Sequence, residues 1–260
     1  MTDDRDLTYQ MNHRYRGIAM VFCYKHFSPE LNLVPRIEMN QDYSHIGTKL
    51  KEDGFEVIQV IDKTRKQTLE KIDITLRNKK EKLAHSDCFV AVFMSYGADG
   101  VIFAKDTHMM FEEVMDKFNG ENCVELRGKP KLFLVQASPL RHNETVDAGL
   151  ISKADAFRRI TVPSEANSLI AWNPLPGVLD PAVKGKGSLF IQTFCDNLST
   201  YGRDTSVPTI IRKTIKKVCH ELEKNHPDVL KSHGYKVPYM INLLTKTFVL
   251  YPKKARPNVG

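Results

Sequence analysis

A chain of 260 residues, with 42% apolar and 27% charged residues, is long enough to bury a substantial core and has a globular composition. The net charge of +7 is spread over segments that also carry glutamate, so we expect no nucleic-acid partner. No apolar run is long enough to cross a bilayer, and the stretch from Met1 to Tyr9 is polar, so we expect a cytoplasmic protein with no membrane partner.

The first half of the chain alternates strand and helix patterns. The apolar run Gly17–Cys23 predicts a buried strand, and apolar spacing predicts a helix from Asn40 to Asp53 that ends at Gly54. Thr64 and Gln67 have the spacing of a capping box at the start of a second helix. Further strands are predicted at Glu56–Ile61 and Cys88–Met94. This alternation is typical of a mostly parallel sheet with helices on its faces.

The second half continues the pattern until a polar stretch interrupts it. A short extended piece is predicted at Val101–Ala104, and apolar spacing from Phe111 to Phe118 predicts a helix. The polar stretch Arg141–Glu165 has no clear periodicity and is typical of an exposed connector. The remaining predicted elements are strands at Lys131–Ala137 and Leu169–Trp172, helices at Ser188–Tyr201 and Pro208–Glu223, and apolar segments at Val237–Leu244 and Thr247–Tyr251.

The cysteines predict neither disulfides nor a metal site. There are five of them, widely spaced, without a CxxC pair or a neighbouring histidine at zinc-ligand spacing. Cys23 and Cys88 lie inside apolar runs, where a free cysteine behaves as a small buried hydrophobe. We therefore expect reduced thiols, no metal and no cofactor.

Two strand ends carry a family pattern. The strand around Met94 continues into Ser95-Tyr96-Gly97, and the strand from Lys131 continues into Gln136-Ala137-Ser138. Supporting stretches are Gly100-Val101-Ile102-Phe103, Phe190-Ile191-Gln192 and Leu244-Thr245-Lys246. Caspases carry Ser-His-Gly and Gln-Ala-Cys-Arg-Gly at such strand ends, so the chain resembles an effector-type caspase from about Tyr9 to Tyr251.

The resemblance implies an α/β fold and a division of the chain. The expected fold is the caspase-like three-layer sandwich, with a six-stranded, mostly parallel sheet flanked by helices. The implied parts are a short N-terminal segment (1–16), a large-subunit region (17–141), an intersubunit linker (142–165), a small-subunit region (166–252) and a basic C-terminal tail (253–260).

The resemblance also implies that both catalytic positions have changed. Tyr96 stands where caspases have their histidine, Ser138 stands where they have their cysteine, and Gly97 matches an oxyanion position. A serine hydroxyl needs a base, and a phenol with a pKa of about 10 cannot act as one at neutral pH. Loss of a nucleophile typically lowers turnover by on the order of 10⁶-fold. We therefore expect a pseudoenzyme of the cysteine-endopeptidase family, with no catalytic residues.

The pocket for the substrate aspartate is only half kept. Caspases hold this carboxylate with two arginines and a glutamine. By the resemblance, Arg36 and Gln136 match one arginine and the glutamine, whereas Ala182 falls where the second arginine would be. Two interpretations of Arg36 and Gln136 stay open: a residual site for acidic peptides, or leftover structural hydrogen bonding.

Two further alternatives concern chemistry and processing. Ser138 could serve a serine-type peptidase with a relocated base such as His108 or His142, or could be a small residue at a strand end. Asp147 and Asp155 lie in the linker and are candidate sites for cleavage by an active caspase. The sequence does not decide whether the linker is cut.

The resemblance finally implies a mode of association. Family members dimerise through the last core strand, which here falls in Val237–Leu244. The predicted interface residues are Val237, Tyr239, Ile241 and Leu243. We expect the partner to be an active effector caspase or a second copy of this chain. The expected role is regulation of that caspase in apoptosis, with activation favoured, and a decoy inhibitor as the alternative.

Overall fold

A mixed sheet forms the centre of the protein. The computed structural model describes residues 7–98, 100–140, 167–175, 187–225 and 237–251. The strands are β1 (Tyr15–Cys23), β2 (Phe55–Ile61), β3 (Ser86–Ala98), β4 (Val101–Phe103), β5 (His108–Met110), β6 (Lys131–Ser138), β7 (Ser168–Asn173) and β8 (Tyr239–Asn242). The helices of the described ranges are α1 (Met39–Glu52), α2 (Arg65–Asn78), α3 (Lys80–Ala84), α4 (Phe111–Asp116), α5 (Leu189–Tyr201) and α6 (Val207–Asn225).

The main path of the sheet has the strand order β2-β1-β3-β6-β7-β8. The first five strands of this path are parallel, and β8 runs antiparallel to β7. A hairpin of β4 and β5 branches from the end of β3. Since neighbouring parallel strands end on the same side, the carboxyl ends of β3 and β6 lie next to each other. The expected α/β class with a mostly parallel sheet is confirmed.

Helices cover both faces of the sheet, as strand β3 illustrates. Val90 and Val92 belong to one buried apolar cluster, and the alternate residues Phe89 and Phe93 belong to a second one. Helices α1, α5 and α6 contribute to the first cluster, and α2 and α4 to the second. Burial on both faces explains the near-continuous apolar runs of the parallel strands. The three layers expected from the sequence are therefore present.

Several local predictions are confirmed. Thr64 caps α2 with a complete capping box: its hydroxyl oxygen accepts from the Gln67 backbone N–H, and the Gln67 side-chain oxygen accepts from the Thr64 backbone N–H. Gly54 has a φ of 89°, the left-handed conformation that commonly follows a helix end, and its N–H donates to the Lys51 carbonyl. Cys23 and Cys88 are fully buried free thiols.

Three predicted boundaries are wrong. Strand β3 continues to Ala98 because Gly97 and Ala98 pair with β4, a long-range pairing that apolar periodicity does not reveal. Helix α4 ends before the buried Phe118, and the Asn119 side chain then accepts two backbone N–H groups in a turn. The last core strand is also shorter than Val237–Leu244.

Some predicted features lie outside the described residues. These are the linker 142–165, the tail 253–260, Asp147, Asp155, Ala182 and His142. The division into subunit regions therefore stays a prediction. Among the helices of the described ranges, none is both long and apolar enough to span a membrane. The same ranges contain no cluster of three or more His, Cys, Asp or Glu side chains that could hold a metal ion.

Candidate functional site

Tyr96 and Ser138 are direct neighbours at the carboxyl edge of the sheet. They are register partners of the parallel pair β3 and β6, in which Met94 likewise lies opposite Gln136. Neighbouring strands are about 4.8 Å apart, so Tyr96 and Ser138 lie next to each other at this edge. The fold thus brings together the residues that the sequence pattern singled out.

The Ser138 hydroxyl is bound to a backbone acceptor. Ser138 is 2% exposed, and its Oγ donates to the Leu175 carbonyl oxygen at 3.0 Å. A carbonyl oxygen stabilises the hydroxyl proton but does not remove it at neutral pH. In this structure the Ser138 hydroxyl is therefore engaged by the backbone of Leu175.

The Tyr96 side chain is buried near the end of β3. Its ring is 6% exposed, and the phenol donates to the Val34 carbonyl oxygen at 3.2 Å. The Phe27 ring packs against it with centroids 5.4 Å apart. The guanidinium of Arg36 lies 5.0 Å from the Tyr96 ring centroid, a cation–π contact. Tyr96 thus packs against Phe27 and Arg36 and is held by the Val34 carbonyl.

Arg36 is engaged within the chain rather than presented to a ligand. It is 5% exposed, and its Nη1 donates to the Ser95 carbonyl oxygen at 2.6 Å. Its Nε donates to the Glu38 carboxylate at 3.1 Å. An incoming substrate carboxylate would have to compete with Glu38 for the guanidinium.

Gln136 belongs to a buried polar chain that also contains Asn173. The Gln136 Oε1 accepts from Asn173 Nδ2 at 2.7 Å, and Asn173 Oδ1 accepts from the Leu175 N–H at 3.3 Å. The Leu175 carbonyl in turn accepts from Ser138. Gln136 Nε2 is buried and has no hydrogen-bond partner within the described ranges. This chain of contacts supports the structural interpretation of Gln136 and leaves one amide donor unused.

Asn173 is a site residue that the sequence did not reveal. It ends β7 in register with Gln136 and is fully buried. The sequence signal that could have identified Asn173 is a polar residue at the end of one apolar strand, beside the polar residue that ends the neighbouring strand.

Gly97, which the resemblance matches to an oxyanion position, is required by packing. A Cβ on Gly97 would overlap the Val101 carbonyl oxygen and lie 3.0 Å from the Ala137 Cβ. The close approach of β4 to β3 therefore requires glycine whether or not an oxyanion is bound. Gly97 alone is no argument for catalysis.

The described histidines do not supply a base for Ser138. His108 lies on β5 opposite Phe103, and its ring centroid is 6.2 Å from that of Phe103. No described histidine forms a hydrogen bond to Ser138, whose hydroxyl goes to Leu175. The geometry therefore offers no support for a relocated catalytic base at His108.

Strand β8 forms the last edge of the sheet's main path. It pairs with β7 through Tyr239 opposite Trp172 and Ile241 opposite Ile170, and Leu243 extends the pairing through its backbone N–H to Ser168. Tyr239 and Ile241 are half-buried against the second apolar cluster of their own chain. Val237 is 42% exposed. Within the described residues, no strand pairs with the outer side of β8.

A family model described as the caspase domain matches residues 16–249. The chain belongs to the caspase family. Among similar proteins, caspase-1 of Spodoptera frugiperda is 30% identical over 258 residues, covering 95% of this chain and 82% of the relative. Caspase drICE of Drosophila melanogaster is 28% identical over 265 residues, covering 99% of this chain and 76% of the relative.

Solved caspase structures have the same fold. A structure of pro-Sf-caspase-1 superposes with a TM-score of 0.80 at 28% identity and covers 98% of both chains. The crystal structure of caspase-1 from Spodoptera frugiperda gives a TM-score of 0.75 at 27% identity, covering 99% of this chain and 98% of the other. In this caspase domain, Tyr96 and Ser138 occupy adjacent strand ends of a preserved framework.

Proposed function

We propose that this caspase-family protein is catalytically inactive and regulates an active caspase by pairing with it, with activation as the favoured outcome. The observation that carries the first part is the pair Tyr96 and Ser138. The hydroxyl of Ser138 donates to the Leu175 carbonyl and the phenol of Tyr96 to the Val34 carbonyl. Peptide cleavage needs an activated nucleophile and a proton acceptor, and this pair provides neither.

The site around Tyr96, Ser138 and Arg36 is also poorly suited to trapping a substrate or an inhibitor. Tyr96 occupies space beside Arg36, and the Arg36 guanidinium already binds Glu38 and the Ser95 carbonyl. An aspartate side chain would therefore gain less from Arg36 than from a free arginine. This contact disfavours the alternative of a decoy inhibitor.

The edge strand β8 is the proposed pairing surface. Its inner side pairs with β7, and its outer backbone groups are suited to an antiparallel strand from a partner caspase. Pairing would also bring Val237 and Leu243 against the partner. An ordered neighbour can stabilise the active-site loops of the catalytically active caspase and shift that caspase towards its competent state. A role in apoptosis and a cytoplasmic location belong to the same proposal.

Peptidase activity is tested with purified protein and acidic tetrapeptide substrates. We expect no turnover and no covalent labelling by aspartate-directed caspase inhibitors, because the thiol and the imidazole are absent. An active effector caspase in the same buffer is the positive control. A stoichiometric adduct at Ser138 in the mass spectrum would contradict inactivity.

Pairing is tested by co-expression and co-purification with effector caspases of the source organism. We expect a complex that Ile241→Lys weakens. Ile74→Lys is the matched control, since Ile74 is 43% exposed on α2 and away from the sheet edge. Because Ile241 is half-buried, Val237→Lys provides a second variant that spares the core. Failure to co-purify, or equal binding by all variants, would contradict the proposed pairing.

A further inference from the structure

A cavity lies at the edge of the sheet opposite to the candidate site. Its volume is about 430 Å³, within the roughly 300–1,000 Å³ of small-ligand pockets. It is bounded by the C-terminal ends of α1 and α5 and by Arg16 at the start of β1. Arg16 lies level with Asp87 on β3, and Tyr96 is nine residues further along this strand, roughly 30 Å away at about 3.3 Å per residue. The cavity is therefore separate from the candidate site.

Two of the cations in the lining are bound within the chain. The buried Arg16 forms an ion pair with Asp87. Its guanidinium also donates to the Asp53 and Tyr251 carbonyls. The Lys49 ammonium lies 2.8 Å from Asp53 Oδ1. These contacts hold the wall of the cavity, and they leave neither Arg16 nor Lys49 as the main anchor for an anion.

The end of α1 forms an acidic side of the cavity. Asp53 Oδ2 is buried and has no hydrogen-bond partner, although Oδ1 of the same carboxylate accepts from Lys49. Glu52 is exposed and forms no ion pair or side-chain hydrogen bond within the described ranges. Burial raises the pKa of the Asp53 carboxyl, and the charge of Glu52 acts in the same direction. A cationic donor at this side would satisfy the unpaired oxygen and offset the charge of both carboxylates.

The ends of the two helices also favour a cation. Helix α1 ends at Glu52 and α5 ends at Tyr201, and the cavity lies at both of these ends. The C-terminal end of a helix carries a partial negative charge, which stabilises cations and destabilises carboxylates such as those of Glu52 and Asp53. An ammonium group bound at this side would therefore relieve an unfavourable arrangement.

Arg203 supplies the opposite charge. It follows the end of α5, is exposed, and has no ion pair or side-chain hydrogen bond among the residues that the structure describes. The adjacent Asp204 accepts from Thr205 at 2.9 Å and does not line the cavity. A guanidinium can bind a carboxylate through two parallel hydrogen bonds. The lining thus combines an unpaired carboxylate oxygen beside one helix end with an uncommitted guanidinium beside the other.

We propose that the cavity at the ends of α1 and α5 binds a small zwitterion, as a free α-amino acid or a dipeptide. The ammonium group of the ligand donates to Asp53 Oδ2 and Glu52, and its carboxylate accepts from Arg203. Leu198 and Leu250 also line the cavity and suit an apolar side chain. A ligand with only one of the two charges leaves either the acidic side or the guanidinium without a partner. The proposal is independent of catalytic inactivity and of pairing through β8.

The test is isothermal titration calorimetry of the full chain with L-leucine and, separately, with glycyl-L-leucine. The matched ligand controls are 3-methylbutylamine and 4-methylpentanoate, because each keeps the apolar group of leucine and only one of its charges. We expect saturable binding of at least one zwitterion at one site per chain, and binding weaker by about tenfold or more for each control. The tighter zwitterion identifies the ligand class as amino acid or dipeptide.

Two variants test the proposed contacts. Arg203→Ala and Glu52→Gln should each weaken binding by about tenfold or more, and both positions are exposed, so the fold should tolerate either change. Arg212→Ala and Glu223→Gln change exposed positions of α6 away from the cavity, and these control variants should bind like the parent chain.

Thermal unfolding without ligand checks that each variant folds. The bound zwitterion should raise the unfolding temperature of the parent chain and of the two control variants more than that of Arg203→Ala or Glu52→Gln. Absence of saturable binding by both zwitterions would overturn the proposal. Equal binding of the single-charge ligands, or an equal loss of binding in Arg212→Ala and Glu223→Gln, would overturn it as well.

Discussion

The buried amide pair Gln136 and Asn173 allows a quantitative test of why Gln136 is present. The side chain of Gln136 accepts a hydrogen bond from the Asn173 amide at 2.7 Å, and a structural role for Gln136 would depend mainly on this bond. Replacing Asn173 by leucine removes this bond and the one to the Leu175 N–H, and leaves the Gln136 amide unpaired in a buried site. Each lost bond to a buried neutral group costs about 1 kcal/mol, and an orphaned group up to about 3 kcal/mol. We expect Asn173→Leu to destabilise the protein by about 2–4 kcal/mol.

The matched double variant separates the pair from its surroundings. Gln136→Met keeps the length of the side chain but removes both amide atoms, so Gln136→Met with Asn173→Leu leaves no orphaned amide at either position. The double variant should therefore be less destabilised than the sum of the single variants, by about 1–3 kcal/mol. Urea unfolding followed by circular dichroism measures all four proteins. Strict additivity would refute the structural coupling and favour a ligand-binding role for Gln136.

The other predictions concern catalysis and pH. Tyr96→His combined with Ser138→Cys should not restore full caspase turnover. Pro139 lacks an N–H donor beside the nucleophile, and by the resemblance Ala182 stands where the second pocket arginine would be. Adding Ala182→Arg should therefore lower KM for aspartyl substrates. Burial raises the pKa of Cys23 from 9.0 to about 12. The unfolded thiol ionises first, so stability should fall as pH rises from about 9 towards 12, and Cys23→Ala should flatten this slope in urea unfolding. Full turnover in the double catalytic variant, or a slope indifferent to Cys23→Ala, would contradict these expectations.

The central strands could be predicted because each one is marked by a short, continuous run of apolar residues. Strands β1, β3 and β6 are buried on both faces, which requires apolar residues at nearly every position. The start of α2 could also be predicted, because the capping box of Thr64 depends only on a residue three positions later in the chain.

Only one strand of the hairpin of β4 and β5 was predicted. The extended piece expected at Val101–Ala104 corresponds to β4, whereas β5 and the pairing of the two strands were not expected, because three residues are too few for apolar periodicity to identify a strand. Their pairing depends on the close approach to Gly97, which only the assembled fold creates. The end of α4 was missed for a related reason, because apolar spacing continues to Phe118 after the backbone has turned.

The candidate site was predictable in its residues but not in its contacts. The family pattern identified Tyr96, Gln136 and Ser138 at strand ends, and it identified Arg36 by its distance from the predicted strand at Glu56–Ile61. The hydrogen bond from Arg36 to the Ser95 carbonyl joins residues 59 positions apart, and Asn173 is 37 positions from Gln136. The Gln136–Asn173 contact follows from sheet register and the Arg36–Ser95 contact from the path of the loop before α1, and one sequence specifies neither.

The regulatory role is tested most directly by the turnover of an active effector caspase of the source organism during titration with this protein. The proposal predicts a saturable rise in caspase turnover. The rise should disappear with Val237→Lys or Ile241→Lys and persist with Ile74→Lys, because only the first two change the β8 edge. A turnover that stays constant, or that falls as the protein is added, would contradict activation through β8.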